Sequence, residues 1–220
     1  MTRRIYLGGS FDPIHRAHLQ MVLSVHDAIR QKTADKVCLH LLPTAGNPFK
    51  GAPTSHAHRV AMLKLAIAPL IRQGMDVSID ERELSLTPPV YTIDTIRQLK
   101  TAYPDDSLIF IIGGDSLASL HRWKAYDELI CQAKLWAFDR AATTPADETV
   151  ATKCTTDLDE FLENDKTIYL DPTPILNISS SQIRALIGAG HPKLAAPLLD
   201  ERVLAYILEE GLYQSPKNML

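Results

Sequence analysis

The stretch that decides the fold is Ile5-Tyr-Leu-Gly-Gly-Ser-Phe-Asp-Pro-Ile-His-Arg-Ala-His18, where a short apolar run meets two glycines and two histidines. The apolar run is typical of a buried strand, and the paired glycines permit a sharp turn close to a ligand. Asp12 and Pro13 predict a helix start, with Asp12 as the N-cap and Pro13 in the first turn. His15 and His18 then lie on one face of that helix, at the strand end.

Outward from this stretch, the sequence alternates between strand and helix patterns. Strands are predicted at residues 5–7, 37–42, 77–79, 108–112, 134–138 and 168–170. Helices are predicted at residues 19–29, 59–72, 92–102, 116–132, 157–166, 181–187 and 203–210, and a loop at 141–156. The alternation predicts an α/β fold with a doubly wound, Rossmann-like, mostly parallel sheet and helices on both faces. We expect one domain over residues 1–220, with a C-terminal helical part at about 178–213.

The composition excludes several classes of protein. With 45% apolar and 22% charged residues and a net charge of -3, the chain resembles an ordinary globular protein rather than a binder of duplex nucleic acid. Cys38, Cys131 and Cys154 show no C-x-x-C spacing, which favours reduced thiols. Neither a signal peptide nor a membrane-spanning run is recognisable, so we expect a cytoplasmic protein that acts on small molecules, away from membranes and nucleic acids.

A second constellation is Ile178-Ser-Ser-Ser-Gln-Ile-Arg184, three serines at a helix start with an arginine one turn later. An N-cap would explain one hydroxyl, with the arginine left on the surface. Three hydroxyls, free N–H groups and a guanidinium together predict a site for a polyphosphate. The two histidines could be a surface pair or zinc ligands, but no third or fourth ligand stands at metal spacing.

The chain resembles the nucleotidylyltransferase superfamily and, within it, the bacterial nicotinate-nucleotide adenylyltransferases. The resemblance covers nearly the whole chain and rests on the two motifs above and on four further segments in family order: Tyr91-Thr-Ile-Asp-Thr-Ile96, Phe110-Ile-Ile-Gly-Gly-Asp-Ser116, Trp123 and Tyr206-Ile-x-x-x-Gly-Leu-Tyr213. The chain departs from the family at Ala17, where glycine is usual. It departs again at Pro89-Val90, where a small polar residue usually precedes the Tyr-Thr pair.

The resemblance implies transfer of AMP from ATP to nicotinate mononucleotide, giving deamido-NAD and pyrophosphate. Because the mononucleotide phosphate attacks the α-phosphorus directly, the reaction needs positioning and charge stabilisation rather than a protein nucleophile. Mg²⁺ is implied as a partner of ATP, without a protein metal ligand. Catalytic roles are implied for His15, His18 and Arg184. The implied contacts with ATP and phosphate are Gly9, Ser10, Phe11, Lys50, Asp115, Ser179, Ser180 and Ser181.

The nicotinate side of the site involves a predicted helix start at Tyr91 and Thr92, with Thr92 as the cap. Unpaired N–H groups and the helix dipole favour a carboxylate over a neutral amide there. The resemblance places the nicotinate carboxylate at this point and Trp123 against the pyridine ring. A large aromatic side chain is equally typical of a core, and Lys50 and Asp115 could be solvated loop residues.

Other functions stay open at this point. Pantetheine-phosphate adenylyltransferases usually have threonine where this chain has His15, and they lack the Tyr91-Thr92 pair. A nicotinamide mononucleotide adenylyltransferase, a cytidylyltransferase and a fragment of a class I tRNA synthetase are further relatives. A nucleotide-binding module without catalysis is disfavoured by the presence of His15, His18 and Arg184. The oligomeric state is not predicted.

Overall fold

The computed structural model describes residues 1–45, 54–138, 147–163 and 166–214 of the 220-residue chain. Within these ranges seven strands form one sheet, and all its paired neighbours are parallel. The strands are β1 (Thr2–Gly9), β2 (Lys36–Pro43), β3 (Val77–Ile79), β4 (Ser107–Gly113), β5 (Lys134–Phe138), β6 (Cys154–Thr155) and β7 (Ile168–Asp171). Their order across the sheet is β3-β2-β1-β4-β5-β7-β6. The chain therefore winds away from β1 in both directions, which confirms the predicted doubly wound α/β fold.

Helices cover both faces of this sheet. The described ranges contain α1 (Arg16–Lys32), α2 (His56–Arg72), α3 (Thr92–Ala102), α4 (Gly114–Ala118), α5 (Tyr126–Gln132), α6 (Glu148–Ala151), α7 (Leu158–Leu162), α8 (Ser180–Gly188), α9 (Pro192–Ala195) and α10 (Glu201–Glu209). Short 3₁₀ turns lie at Leu120–Arg122 and Ala196–Leu198. No helix among the described residues is long and apolar enough to span a membrane.

The strands supply two cores because successive side chains point to opposite faces of a sheet. Ile5 and Leu7 of β1 belong to one buried cluster, with apolar side chains from α1, α2, α8 and α10. Tyr6, between them, belongs to the other cluster, with side chains from α3 and α5. The first cluster also contains Ile207, so it links the first strand to the last described helix. One domain over residues 1–220 stays a prediction.

The prediction of one continuous helix over residues 116–132 is wrong. The segment is divided into α4, a 3₁₀ turn that Trp123 ends, and α5. Ala125 has φ 51° and ψ 47°, a left-handed conformation that a continuous right-handed helix cannot contain. The break leaves Trp123 in extended backbone rather than within a helical turn.

The predicted loop at residues 141–156 is wrong where the structure describes it. Asp147 caps α6 by accepting from the Thr149 N–H at 2.8 Å, and Cys154–Thr155 pairs with β7 as a short edge strand. Both elements are too short for a periodic pattern to predict them. Residues 139–146 lie outside the described ranges.

Candidate active site

A cavity of about 900 Å³ lies at the carboxyl ends of β1 and β4. This is where the strand order reverses direction, the usual place for a ligand in an open α/β sheet. Eleven of the residues that the sequence predicted for the site line it: Gly9, Ser10, Phe11, His15, His18, Thr92, Trp123, Ser179, Ser180, Ser181 and Arg184. The positions where the chain departs from the family that it resembles, Ala17 and Pro89-Val90, line the same cavity.

The turn after β1 is shaped by glycine and phenylalanine. A Cβ atom on Gly9 would stand 3.2 Å from the ring of Phe11, so a larger residue at position 9 would have to displace that ring. Phe11 itself has φ 47°, a left-handed conformation that is rare for an aromatic residue. The Thr44 N–H donates to the Gly9 carbonyl at 3.0 Å, which joins the ends of β1 and β2. The turn is therefore held by neighbouring segments.

The N-cap of α1 is His15, so the prediction of Asp12 as the cap is wrong. The Asp12 carboxylate instead accepts from the Tyr213 hydroxyl at 2.7 Å and from the Thr54 N–H at 3.3 Å. Both donors are distant in sequence, and a tertiary contact of this kind cannot be read from local cap statistics. Burial raises the pKa of Tyr213, which keeps its hydroxyl protonated and able to donate.

His15 and His18 form a stacked pair at the start of α1. Their ring centroids are 3.6 Å apart with 20° between the planes, and the edge of Phe11 lies against His18 at 5.0 Å. The His15 N–H donates to Nδ1 of His18 at 3.3 Å. Since Nδ1 accepts, a neutral His18 carries its proton on Nε2 and donates from there. The hydrogen bond to the His15 N–H and the contacts with Phe11 and His15 thus fix the orientation of the His18 ring.

The start of α8 meets the turn after β1 directly. Ser179 is the N-cap and accepts from the Gln182 N–H at 3.2 Å, while the Ser180 hydroxyl donates to the Pro13 carbonyl at 2.9 Å. Arg184 donates to the Asp12 carbonyl at 2.6 Å and to Oγ of Ser181 at 3.2 Å. The two motifs from opposite ends of the chain are therefore in direct contact, and the arginine, the serines and the histidine pair line the same cavity.

The nicotinate side departs further from the prediction. The N-cap of α3 is Tyr91, and Thr92 is the first helical residue rather than the cap. Thr92 and Trp123 line the cavity, but Tyr91 does not. Tyr91 is 42% exposed, and Lys124 Nζ lies over its ring, 4.3 Å from the ring centroid. Trp123 is partly buried and also packs against the core of α3 and α5. It therefore has both a core contact and a face toward the cavity.

Asp115 lines a smaller neighbouring cavity of about 150 Å³ rather than the main one. Met21, Gly113 and Ser116 line both cavities, so the two are adjacent. Lys50, the other predicted phosphate contact from a loop, lies outside the described residues.

The sequence does not point to two buried charged residues: Arg59, which contacts segments that line the cavity, and Glu83, which lines it. Arg59 is 0% exposed and donates to the carbonyls of Ser10, Thr44 and Thr54. Its burial lowers the pKa of the guanidinium, and the charge of Asp12 opposes that shift. Arg59 stands four residues before the buried Leu63 of α2. A charge on the apolar stripe of a helix is the signal that would have found it.

Glu83 is the second of these residues, and its side chain lines the cavity. It is 5% exposed and accepts from the Thr95 hydroxyl at 2.5 Å. Burial raises the pKa of its carboxyl group. No motif in the sequence singles it out, because the surrounding residues 80–91 have no regular period.

Comparison with known proteins is consistent across sequence and structure. Residues 6–186 match the family model described as Cytidylyltransferase-like. A probable nicotinate-nucleotide adenylyltransferase from Chromobacterium violaceum is 37% identical, with 94% of this chain and 96% of that protein covered. Its counterpart from Aeromonas salmonicida is 34% identical, with 95% and 96% covered.

Among solved structures, the nicotinic acid mononucleotide adenylyltransferase of Plasmodium falciparum in complex with NaAD has the same fold. It superposes with a TM-score of 0.73 at 20% identity, covering 97% of this chain and 98% of that one. With the motifs, the cavity and the relatives in agreement, the chain belongs to the Cytidylyltransferase-like family and, within it, to the nicotinate-nucleotide adenylyltransferases.

Proposed function

We propose that this protein transfers AMP from ATP to nicotinate mononucleotide in NAD biosynthesis, releasing pyrophosphate and deamido-NAD. One observation carries the proposal: the histidine pair of α1 and the serine-arginine start of α8 line a single cavity. Relatives of 37% and 34% identity are named for this activity and are covered over almost their whole length.

In the proposed reaction, an oxygen of the mononucleotide phosphate attacks the α-phosphorus of ATP. The bond from that phosphorus to the bridging oxygen breaks, and its electron pair leaves with pyrophosphate. The chain needs to align these groups and stabilise the charge that develops. His18 is suited to this task because its Nε2–H can donate to a phosphate oxygen, and His15 is stacked beside it.

The start of α8 is the proposed holder of the departing β- and γ-phosphates. A guanidinium carries five N–H donors, more than Arg184 uses in its contacts with Asp12 and Ser181. Because Oγ of Ser181 accepts from Arg184, its hydroxyl proton can be donated to phosphate. Ser179 and Ser180 begin the helix and present N–H groups where the dipole favours an anion. Gly9, Ser10 and Phe11 supply the opposite wall.

Mg²⁺ is proposed to enter with ATP as part of the substrate. The described residues hold no group of three or more His, Cys, Asp or Glu side chains arranged for a metal ion. Mg²⁺ usually keeps several waters and binds through substrate phosphates with one or two carboxylates, so this lining fits MgATP better than a resident ion. When bound, the cation would neutralise charge on the phosphate oxygens.

Thr92 and Trp123 are the proposed contacts for the nicotinate ring. The first N–H groups of α3 and its dipole favour the carboxylate, and the Trp123 ring offers an apolar surface for the pyridine. Tyr91 would contribute through its main chain, as the N-cap of α3. Asp115, at the adjacent small cavity, is a proposed ribose contact, and Lys50 stays a predicted phosphate contact.

The test is a pyrophosphate-release assay with ATP and three acceptors: nicotinate mononucleotide, nicotinamide mononucleotide and pantetheine phosphate. We expect the highest kcat/KM with nicotinate mononucleotide. Equal rates with the two pyridine nucleotides would contradict the proposed carboxylate site at α3. A preference for pantetheine phosphate would contradict nicotinate mononucleotide as the substrate.

We also propose the cytoplasm as the compartment. All three cysteines are unpaired, and Cys131 is exposed, which suits a reducing environment. Interaction with nucleic acid is not proposed for a chain of net charge -3.

A further inference from the structure

The loop of residues 10–13, between β1 and α1, is held through its carbonyl groups. The Ser10 carbonyl accepts from Arg59 at 2.7 Å, the Asp12 carbonyl from Arg184 at 2.6 Å, and the Pro13 carbonyl from the Ser180 hydroxyl at 2.9 Å. Arg184 and Ser180 are already placed in the phosphate site. Arg59 has no contact with the predicted substrates in that scheme, so its role needs a separate explanation.

Arg59 joins three segments that surround the cavity. Besides Ser10 after β1, its guanidinium donates to the Thr44 carbonyl after β2 at 2.9 Å and to the Thr54 carbonyl before α2 at 3.2 Å. The side chain is fully buried, and burying a cation is costly unless its donors are satisfied. All three contacts go to main-chain oxygens, so the residue fixes backbone geometry at three points.

The contact with Ser10 determines which way the next N–H points. In a trans peptide the carbonyl of one residue and the N–H of the next point in opposite directions. Because the Ser10 carbonyl accepts from the buried guanidinium, the Phe11 N–H of the same peptide points away from that guanidinium, and both residues line the cavity. Phe11 holds φ 47°, a conformation that a phenylalanine keeps only when its surroundings enforce it.

A second residue holds the same loop from the C-terminal side. The Tyr213 hydroxyl donates to Oδ1 of Asp12 at 2.7 Å, and the Asp12 carboxylate also accepts from the Thr54 N–H. Asp12 is 7% exposed. Thr54 is thus linked to both Arg59, through its carbonyl, and Asp12, through its N–H.

We propose that Arg59 is a positioning residue for adenylyl transfer, which turns the Phe11 N–H toward a phosphate of bound ATP, and that Tyr213 supports it through Asp12. The inference rests on the proposed function and adds residues that never touch the substrate. Substitution of either Arg59 or Tyr213 should therefore impair the use of ATP more than the use of nicotinate mononucleotide. A residue that only stabilised the fold would not separate the two substrates in this way.

The test is Arg59→Lys, with Arg72→Lys as the control because Arg72 is exposed at the other end of the same helix. Lysine keeps the charge but lacks the planar fork that reaches three carbonyls. We expect kcat to fall about 10- to 100-fold and the KM for ATP to rise about 5-fold or more, as for a displaced oxyanion donor. The KM for nicotinate mononucleotide should change by less than about 2-fold. Arg72→Lys should behave as the wild type.

Binding of a non-hydrolysable ATP analogue, measured by calorimetry, separates this inference from the proposed function. If the wild type binds the analogue and shows no turnover with any acceptor, the proposed function fails, while weaker analogue binding by Arg59→Lys still supports the positioning role. A folded Arg59→Lys variant with unchanged kcat, KM for ATP and analogue affinity would overturn that role. So would equal rises in both KM values.

If Arg59→Lys fails to fold, Tyr213→Phe tests the proposal instead, because it removes the hydroxyl that donates to Asp12 and keeps the ring. We expect it to raise the KM for ATP by about 2- to 5-fold and to leave the KM for nicotinate mononucleotide unchanged, in keeping with the loss of one hydrogen bond. Unchanged constants for ATP in a folded Tyr213→Phe variant would overturn the proposal.

Discussion

The side of the cavity that we propose for phosphate, here called the phosphate side, consists of residues 9–18 and the start of α8, and hydrogen bonds between distant parts of the chain fix it. The side that we propose for the nicotinate ring, here called the ring side, consists of Glu83, Pro89, Val90, Thr92 and Trp123 and presents apolar surface and one buried carboxyl group. Every nucleotide presents negatively charged phosphate oxygens in a similar geometry, so rigid donors suit them. A ring pocket instead has to distinguish between similar molecules, which depends on shape and on single polar groups. The two sides should therefore respond differently to substitution.

The largest effect is expected from Arg184→Ala, on the phosphate side. The change removes a cation from the proposed phosphate site and its hydrogen bond to the Asp12 carbonyl. We expect kcat to fall by about two to three orders of magnitude, the usual loss for a transition-state donor. Steady-state kinetics with both pyridine mononucleotides should show the same fold loss for each.

Arg72→Ala is the control for that variant and should retain full activity, since Arg72 is exposed and remote from the cavity. Near-normal turnover of Arg184→Ala would remove this arginine from the mechanism. A loss confined to one mononucleotide would contradict the division into two sides.

A smaller and more selective effect is expected from Trp123→Ala, on the ring side. Loss of the aromatic surface should raise the KM for nicotinate mononucleotide about 10-fold, in line with the energy of a stacked ring. The KM for ATP should stay within about 2-fold of the wild type. Trp123→Phe, which keeps an aromatic face, should recover most of the affinity, and an equal defect in both variants would argue against stacking.

Glu83→Gln tests the buried carboxyl group of the ring side through stability. Burial raises the pKa of Glu83 in the folded protein, so the protonated form is favoured there, and its stabilising contribution is lost as pH rises through the folded-state pKa. Glutamine does not titrate. Denaturant unfolding should therefore show Glu83→Gln gaining stability relative to the wild type as pH rises above 4.5, the ordinary pKa of a glutamate. A difference that does not vary with pH would mean that Glu83 is charged at little cost.

The smallest effect is expected from Ala17→Gly, which restores the family residue in α1. Ala17 is 1% exposed and lines the cavity. Glycine within a helix should lower the free energy of unfolding by about 0.5–1 kcal/mol, while kcat changes by less than about 3-fold. Ala28→Gly in the same helix should cost a similar amount of stability with no change in kcat. A large gain in kcat for Ala17→Gly would show that the methyl group obstructs the phosphate side.

The same contrast separates what the sequence could predict from what it could not. The proposed phosphate side lies in two contiguous motifs, so the sequence predicts His15, His18, Ser179 and Arg184 together, and all four line the cavity. Strand patterns were similarly local, and β3 and β5 match their predicted bounds.

The ring side depends on tertiary contacts that no local pattern records. The sequence predicts Thr92 as the cap of α3, but the N-cap is Tyr91. Trp123, which lines the cavity, lies at the break between the 3₁₀ turn and α5, where the sequence predicts a continuous helix. The sequence predicts Asp12 as a cap because it precedes Pro13, whereas its actual partner, Tyr213, is 201 residues away and no local pattern connects the two. Arg59 was missed for a related reason, since its three acceptors are main-chain carbonyls in other segments.

The contact between α8 and the turn after β1 has a consequence for synthesis of the chain. Arg184 and Ser180 follow all seven described strands in sequence, so the sheet and the histidine pair can emerge from the ribosome before the helix that completes the phosphate site. A nascent or truncated chain that ends before α8 lacks the groups proposed to hold the triphosphate. We expect such a fragment to lack adenylyl transfer. Because the first buried cluster also takes side chains from α8 and α10, the same last part of the chain completes both that core and the proposed phosphate site.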